Sequence, residues 1–350
     1  MTMHFCRRLA QTIACLMLLS TAFLNAVLLS AVAVADEPSA QFGIIDRLDP
    51  RFNQLIPTSS KLEKLADGFD WSEGPVWVRD GSYLLFSDIP RNSVMKWKEG
   101  QSAATLFLKP SGYTGPGTWG AEPGCNGLLL DKEGRLILCQ HGDRRIARLE
   151  KDGKFTTLAD RYDGKRFNSP NDGVFKSNGD LYFTDPPYGL PKQYDDPHRE
   201  LDFCGVYRLS PDGKVTLLTT EMTRPNGIGF SPDEKKMYVA QSDPKAALWR
   251  VFDVKDDGTL SAGKVFYDVT KWVPSKPGLP DGLKVDQAGN IFATAPGGVQ
   301  VFSPDGTLLG TIGTGERTAN CAWGEDGTVL YICADMYLCR IKTNTRGIGF

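Results

Sequence analysis

The chain has 350 residues, with 40 basic against 42 acidic side chains and a formal net charge of −2. That balance offers no basic patch for nucleic acid, and the absence of a Cys-x-x-Cys pair argues against a thiolate metal site. The length is large for one ordinary domain but normal for repeat and large all-β architectures.

Residues 1–35 read as an export signal. Arg7 and Arg8 supply a positive start, Leu9 to Val34 carries no charge, and Ala33-Val34-Ala35 places small residues where a signal peptidase cuts, just before Asp36 and Glu37. Cleavage after Ala35 is expected, giving a periplasmic or secreted protein. The competing reading is an uncleaved membrane anchor, because the apolar stretch is long enough to span a bilayer. Loss of the leader leaves 38 basic and 42 acidic residues, a net charge of −4. Residues 36–60 then form an N-terminal extension, and 61–350 one repeat domain without an internal linker.

Within that domain a short acidic or amide residue opens the same pattern six times, at Glu73, Asn126, Asn171, Asn226, Asp281 and Asn320. Each precedes an apolar alternating run broken by Asp or Gly turns, as in Leu128-Leu129-Leu130, the turn Asp131-Lys132-Glu133-Gly134, and Arg135-Leu136-Ile137-Leu138. The openers are separated by 53, 45, 55, 55 and 39 residues, a spacing typical of propeller blades. Three or four short strands per unit, with tight turns and no long amphipathic helix, predict an all-β fold, a six-bladed β-propeller with a central channel. The sixth unit ends soon after its third strand, so the segment near Lys61-Leu62-Glu63-Lys64-Leu65 is expected to supply the outer strand and close the ring. Six cysteines follow the leader; they read as buried thiols, with Cys333 and Cys339 the pair to bridge if any does.

In a propeller the innermost strand of each blade lines the channel, so the six openers converge at its mouth. Their Glu, Asn and Asp oxygens are hard ligands, and two negative charges among them match a divalent cation. Only His141 and His198 follow the leader, which excludes a multi-histidine zinc site. One cation is expected, calcium first, with magnesium, manganese and zinc as alternatives. Taken singly, each Asn-Gly or Asp-Gly is also an ordinary turn former. What favours a site is that Gly follows within two residues in five of six cases, including after Glu73, a poor turn residue.

Glu73-Gly74-Pro75-Val76-Trp77, Ser169-Pro170-Asn171-Asp172-Gly173, Tyr182-Phe183-Thr184-Asp185-Pro186-Pro187-Tyr188-Gly189, Arg224-Pro225-Asn226-Gly227-Ile228 and Pro280-Asp281-Gly282-Leu283 mark a further likeness. Together they resemble the senescence marker protein, gluconolactonase and luciferin-regenerating family of six-bladed propellers, over about residues 60–345. The resemblance implies a lactone hydrolase with one divalent cation at the top of the channel. Its ligands fall on Glu73, Asn226 and Asp281, and Asn171 matches a fourth position that ligates the metal or binds substrate.

Such a site polarises a lactone carbonyl while a carboxylate deprotonates water, so no covalent nucleophile is required. No Gly-x-Ser-x-Gly elbow occurs. Asp281 is the candidate base; because ligation weakens it, Asp185 and Asp243 are alternatives. His141 is a candidate for a catalytic or substrate role, against the reading of a hydrogen-bonded loop histidine, and His198 is expected to be solvated. Asn126 and Asn171 are candidate substrate contacts. Two insertions, Lys109–Pro123 and Tyr188–Phe203, are expected either to wall the pocket, with Tyr113 and Trp119 stacking on a sugar ring, or to be exposed ornaments. The expected reaction opens a gluconolactone-type cyclic ester to the aldonic acid, with a small-molecule lactone as the only partner implied. A phosphotriesterase-like or other ester hydrolase on the same metal site, and a noncatalytic ligand-binding propeller, are the alternatives.

Overall fold

Runs such as Leu181–Asp185 and Gly205–Leu209 alternate aromatic and branched side chains that fit a pleated sheet, and they pair antiparallel with Phe183 opposite Tyr207. Ser-Pro-Asp-Gly turns join outer strands: Gly213 donates to the Ser210 carbonyl and Gly306 to the Ser303 carbonyl, each at 2.9 Å. The computed structural model describes residues 42–350, and the expected leader over 1–35 lies outside them. Among the described residues, no helix is long and apolar enough to cross a membrane.

Repetition of this unit gives a six-bladed β-propeller. The innermost strands are Ser72–Val78, Cys125–Leu130, Gly173–Phe175, Pro225–Phe230, Leu283–Val285 and Thr318–Gly324. Each packs on the next and the last on the first, so they ring the channel. All six openers stand inside these strands or two residues ahead of them. Closure follows the expected route, with Leu62–Ala66 pairing with Tyr337–Lys342 as the outer strand of blade six, Leu62 opposite Ile341. This hydrogen-bonds the beginning of the ring to its end and leaves no open seam.

The described part of the extension is itself packed on the propeller. Ile44–Arg47 adds a fifth strand to blade five, paired with Leu308–Gly313. The one-turn helix Phe52–Leu55 sends Phe52, with Ile56 just beyond it, fully buried into the apolar cluster between blades five and six. Phe52→Ala is therefore expected to cost about 3–5 kcal/mol. Ile44→Ala, at a side chain 67% exposed, is expected to cost well under 1 kcal/mol. Denaturant midpoints of the two variants check this difference.

The fold has no single core. Each neighbouring pair of blades traps its own apolar cluster, six in all. Trp77 of blade one, for example, stacks on Tyr331 of blade six with ring centroids 5.5 Å apart. The six cysteines are free and buried. Cys333 and Cys339 do not bridge because Cys339 pairs with Ile332, one residue out of register, so the two thiols enter different inter-blade clusters.

Candidate active site and metal centre

Close packing around the axis explains the glycines beside the openers. A Cβ on Gly74, which has φ +52°, would overlap the backbone carbonyl of Asn126, and one on Gly227 would overlap that of Asp281. Glycine is thus needed so that adjacent inner strands can approach, rather than to form a turn. The result is a cavity of about 450 Å³ whose wall includes Glu73, Asn126, Asn171, Asn226 and Asp281. Asn320, the sixth opener, faces a larger channel space of about 840 Å³ that none of the other five openers lines.

Five oxygens in the smaller cavity are buried without a hydrogen-bond partner: Glu73 Oε1, Asn126 Oδ1, Asn171 Oδ1, Asn226 Oδ1 and Asp281 Oδ1. Each such group costs on the order of 1–3 kcal/mol unless something is bound to it. Neighbouring bonds fix the direction of three of them. Asn226 Nδ2 donates to Ser242 Oγ at 2.8 Å, and that hydroxyl donates to the Pro280 carbonyl. Glu73 Oε2 accepts from Asn320 Nδ2 at 3.0 Å and from the Gly74 N–H. Asn171 Nδ2 lies 3.5 Å from His141 Nε2. In each case the remaining oxygen is turned into the cavity.

Two carboxylates and three amides suit a hard divalent cation such as calcium. Among the described residues, the cavity wall offers no histidine or cysteine, the nitrogen and sulfur ligands zinc favours, which makes zinc the least suited. Ser242→Ala frees the Asn226 amide to rotate. Cation affinity is expected to fall tenfold or more, by analogy with other residues that orient metal ligands, as read by calorimetric titration.

The electrostatics fit the same occupant. Without a cation, burial and then the Asp172 carboxylate push Glu73 up to about 8. Asp281 is held well above the ordinary carboxylate range by burial, then by Glu73, Asp172 and Glu122. Asp172, which the motif reading passed over, is buried and its Oδ2 accepts from Asn320 Nδ2 at 3.2 Å. Asn320 therefore bridges Glu73 and Asp172 from below. Lys284 Nζ stands 3.5 Å from Asn320 Oδ1, a cationic group of the channel beneath the site.

Other candidates lie elsewhere. Asp185 is buried outside the cavity wall; its two oxygens accept from Asn168 N at 2.8 Å and Ser169 N at 2.7 Å. It anchors the loop that carries Asn171 and is not placed to deprotonate a water in the cavity, which corrects its expected role as a base. Burial pushes its carboxyl up to about 7 despite those two bonds. Asp243 accepts from Thr223 Oγ1 at 2.7 Å and from Lys245 N at 2.9 Å. His141 is fully buried behind Asn171, not in the wall; its Nδ1 is 3.2 Å from Glu122 Oε2 but off the line a hydrogen bond needs.

Tyr113 and Trp119 stack on each other with centroids 5.4 Å apart, Trp119 also meets His198, and neither of the two lines the cavity where a sugar ring was expected to meet them. His198 is solvated, as expected, with its side chain 59% exposed. The insertions reach the cavity through other residues, Glu122 from the first and Tyr188 from the second. Tyr188 stands in the Tyr182–Gly189 motif, whose composition marks it in the sequence; Glu122 carries no such mark.

Comparison with known proteins bears on the family of the chain. Residues 71–335 match the SMP-30/Gluconolactonase/LRE-like region. A gluconolactonase of Zymomonas mobilis is 40% identical, covering 87% of this chain and 87% of its own. A pentonolactonase of Haloferax volcanii is 30% identical, covering 80% and 83%. The solved structure of a gluconolactonase from Xanthomonas campestris superposes with a TM-score of 0.75 at 33% identity, covering 85% of this chain and 94% of that one. With most of its length inside the matched region, the chain belongs to the SMP-30/gluconolactonase/LRE-like family.

Proposed function

We propose that this chain is a divalent-cation-dependent lactonase that opens a gluconolactone-type sugar lactone to the hydroxy acid. The carrying observation is the set of five unpaired buried oxygens around one cavity, in a family whose members include a gluconolactonase and a pentonolactonase. Glu73, Asn171, Asn226 and Asp281 hold the cation, calcium by preference. Bound there, it supplies a Lewis acid for the ester carbonyl.

The chain's own groups do the rest. Asp281, half-buried beside Glu73, Asp172 and Glu122, takes the proton of the attacking water. When the carbonyl carbon parts from the ring oxygen, the same carboxyl returns a proton to that oxygen, which becomes the hydroxyl of the product. Asn126 and Tyr188 face the cavity and orient the hydroxyls of the sugar ring. No cysteine lines the cavity to act as a nucleophile. The charge-free run after Arg8 supports a site of action outside the cytoplasm.

Acid release from glucono-1,5-lactone and from a pentonolactone tests this, with and without chelator and with calcium, magnesium, manganese or zinc restored. Chelator-sensitive turnover of either lactone is expected. Turnover indifferent to chelator, or none with any cation, would overturn the reading.

A further inference from the structure

Arginine side chains in this protein are almost all spoken for. Among the described residues every arginine but two bonds a carbonyl, amide or carboxylate oxygen or forms an ion pair within the chain, from Arg47 on the Ile56 carbonyl at 2.7 Å to Arg340 on Glu63 at 2.8 Å. The two exceptions, Arg224 and Arg317, line the same cavity as Glu73 and Asp281. Arg224 is half-buried with its guanidinium 5.6 Å from the centre of the Tyr194 ring and beside that residue's neutral hydroxyl, with no carboxylate of the described residues in ion-pair distance. Its charge helps to hold down Asp243, yet that carboxylate takes its hydrogen bonds from Thr223 and Lys245. Arg317 is exposed, which puts it at the mouth. Lys276 lines the same wall and has no acidic partner either, only the Trp272 ring at 5.3 Å.

Three cations without counter-ions around one mouth are a poor match for a neutral ring. The acids of the cavity wall are Glu73, Asp281 and Glu122; the first two face the cation, and Glu122 faces His141. A guanidinium fork fits carboxylate and phosphate with two parallel bonds, and unpaired cations in a cleft raise the local concentration of anions.

Resting on the lactonase reading, we infer that the preferred substrate is an anionic sugar lactone, one carrying a carboxylate or phosphate at the end remote from the ester carbonyl, held by Arg224 and Arg317 with Lys276. The carboxylate formed by hydrolysis arises at the deep end, beside Glu73 and Asp281, so it does not account for an arginine as exposed as Arg317.

The test compares kcat/KM for neutral glucono-1,5-lactone with that for its 6-phosphate and for a glucaric acid lactone, using the mature protein saturated with calcium at low salt. Anionic lactones are expected to be favoured about tenfold or more. The ratio should fall toward one in the Arg224→Gln/Arg317→Gln variant and as salt rises. Preference for the phosphate alone, or for both anions, supports the inference and assigns the anionic group. A ratio of one or less, or one that the double substitution leaves in place, overturns it while neutral-lactone turnover leaves the lactonase reading standing. If no lactone is turned over, that reading fails by itself; calorimetric binding of gluconate against 6-phosphogluconate then decides, and equal affinity overturns the inference.

Discussion

Glu73→Gln is expected to lower kcat/KM for lactone opening by about a thousandfold, roughly 4 kcal/mol of transition-state stabilisation. The same change is expected to make the cation-free protein more stable at alkaline pH. Glu73 is 1% exposed and shares its surroundings with Asp172 and Asp281, so above its raised pKa it is a buried charge among like charges. Gln keeps the shape and an oxygen for Asn320 Nδ2 and the Gly74 N–H. Thermal unfolding with chelator should therefore rank the variant above the parent, and excess calcium should reverse the order, because only the parent binds it tightly. A variant less stable than its parent in both conditions would show that Glu73 is a packing residue rather than a ligand.

A second large effect concerns pH. Glu73 has a folded-state pKa of about 8 against an ordinary value of 4.5. Between those values the cation-free native state holds a proton that the unfolded chain has released, so stability falls as pH rises through that window. Asp281 shifts in the same direction and Asp185, raised to about 7, adds to the slope. Calcium held by the same carboxylates, as proposed, would compete for them and displace their protons. Calcium affinity should accordingly climb by about tenfold per pH unit below 8 for the proton that Glu73 releases, and that contribution should level off above it. Melting temperatures of chelated and calcium-loaded protein between pH 5 and pH 9 check both halves, at about 2 °C per kcal/mol for a chain of this size. Parallel curves would contradict the shared occupancy of these groups.

The ring and five of its openers were legible because a propeller repeats one local rule. Each blade needs an opener, a glycine where the next inner strand passes, and alternating apolar strands, and these recur at regular spacing in the sequence. The clasp was legible because the sixth unit lacked a strand. What depended on side chains reaching across the axis was not. Asn320 shares the openers' pattern but sits one level down as a bridge between Glu73 and Asp172.

Asp185 lies in a motif of the right composition, yet its oxygens are taken by backbone N–H groups of a loop sixteen and seventeen residues earlier, a pairing that no local pattern encodes. Tyr113 and Trp119 are aromatic residues of a long loop whose rings stack on each other, a contact that the sequence alone does not encode. Glu122, in the same loop, reaches the cavity through the path of that loop alone. The strand Ile44–Arg47 was missed because four residues, with Ile44 67% exposed, carry too short an alternation to stand out.

The most direct test titrates calcium into chelated protein at pH 8 while glucono-1,5-lactone opening is followed as acid release. Activity is predicted to rise from near zero and saturate at one equivalent of calcium per chain, with Asp281→Asn silent at every ratio. A rate already present before calcium is added, or one that Asp281→Asn leaves unchanged, would contradict a cation-dependent site built on Glu73, Asn171, Asn226 and Asp281.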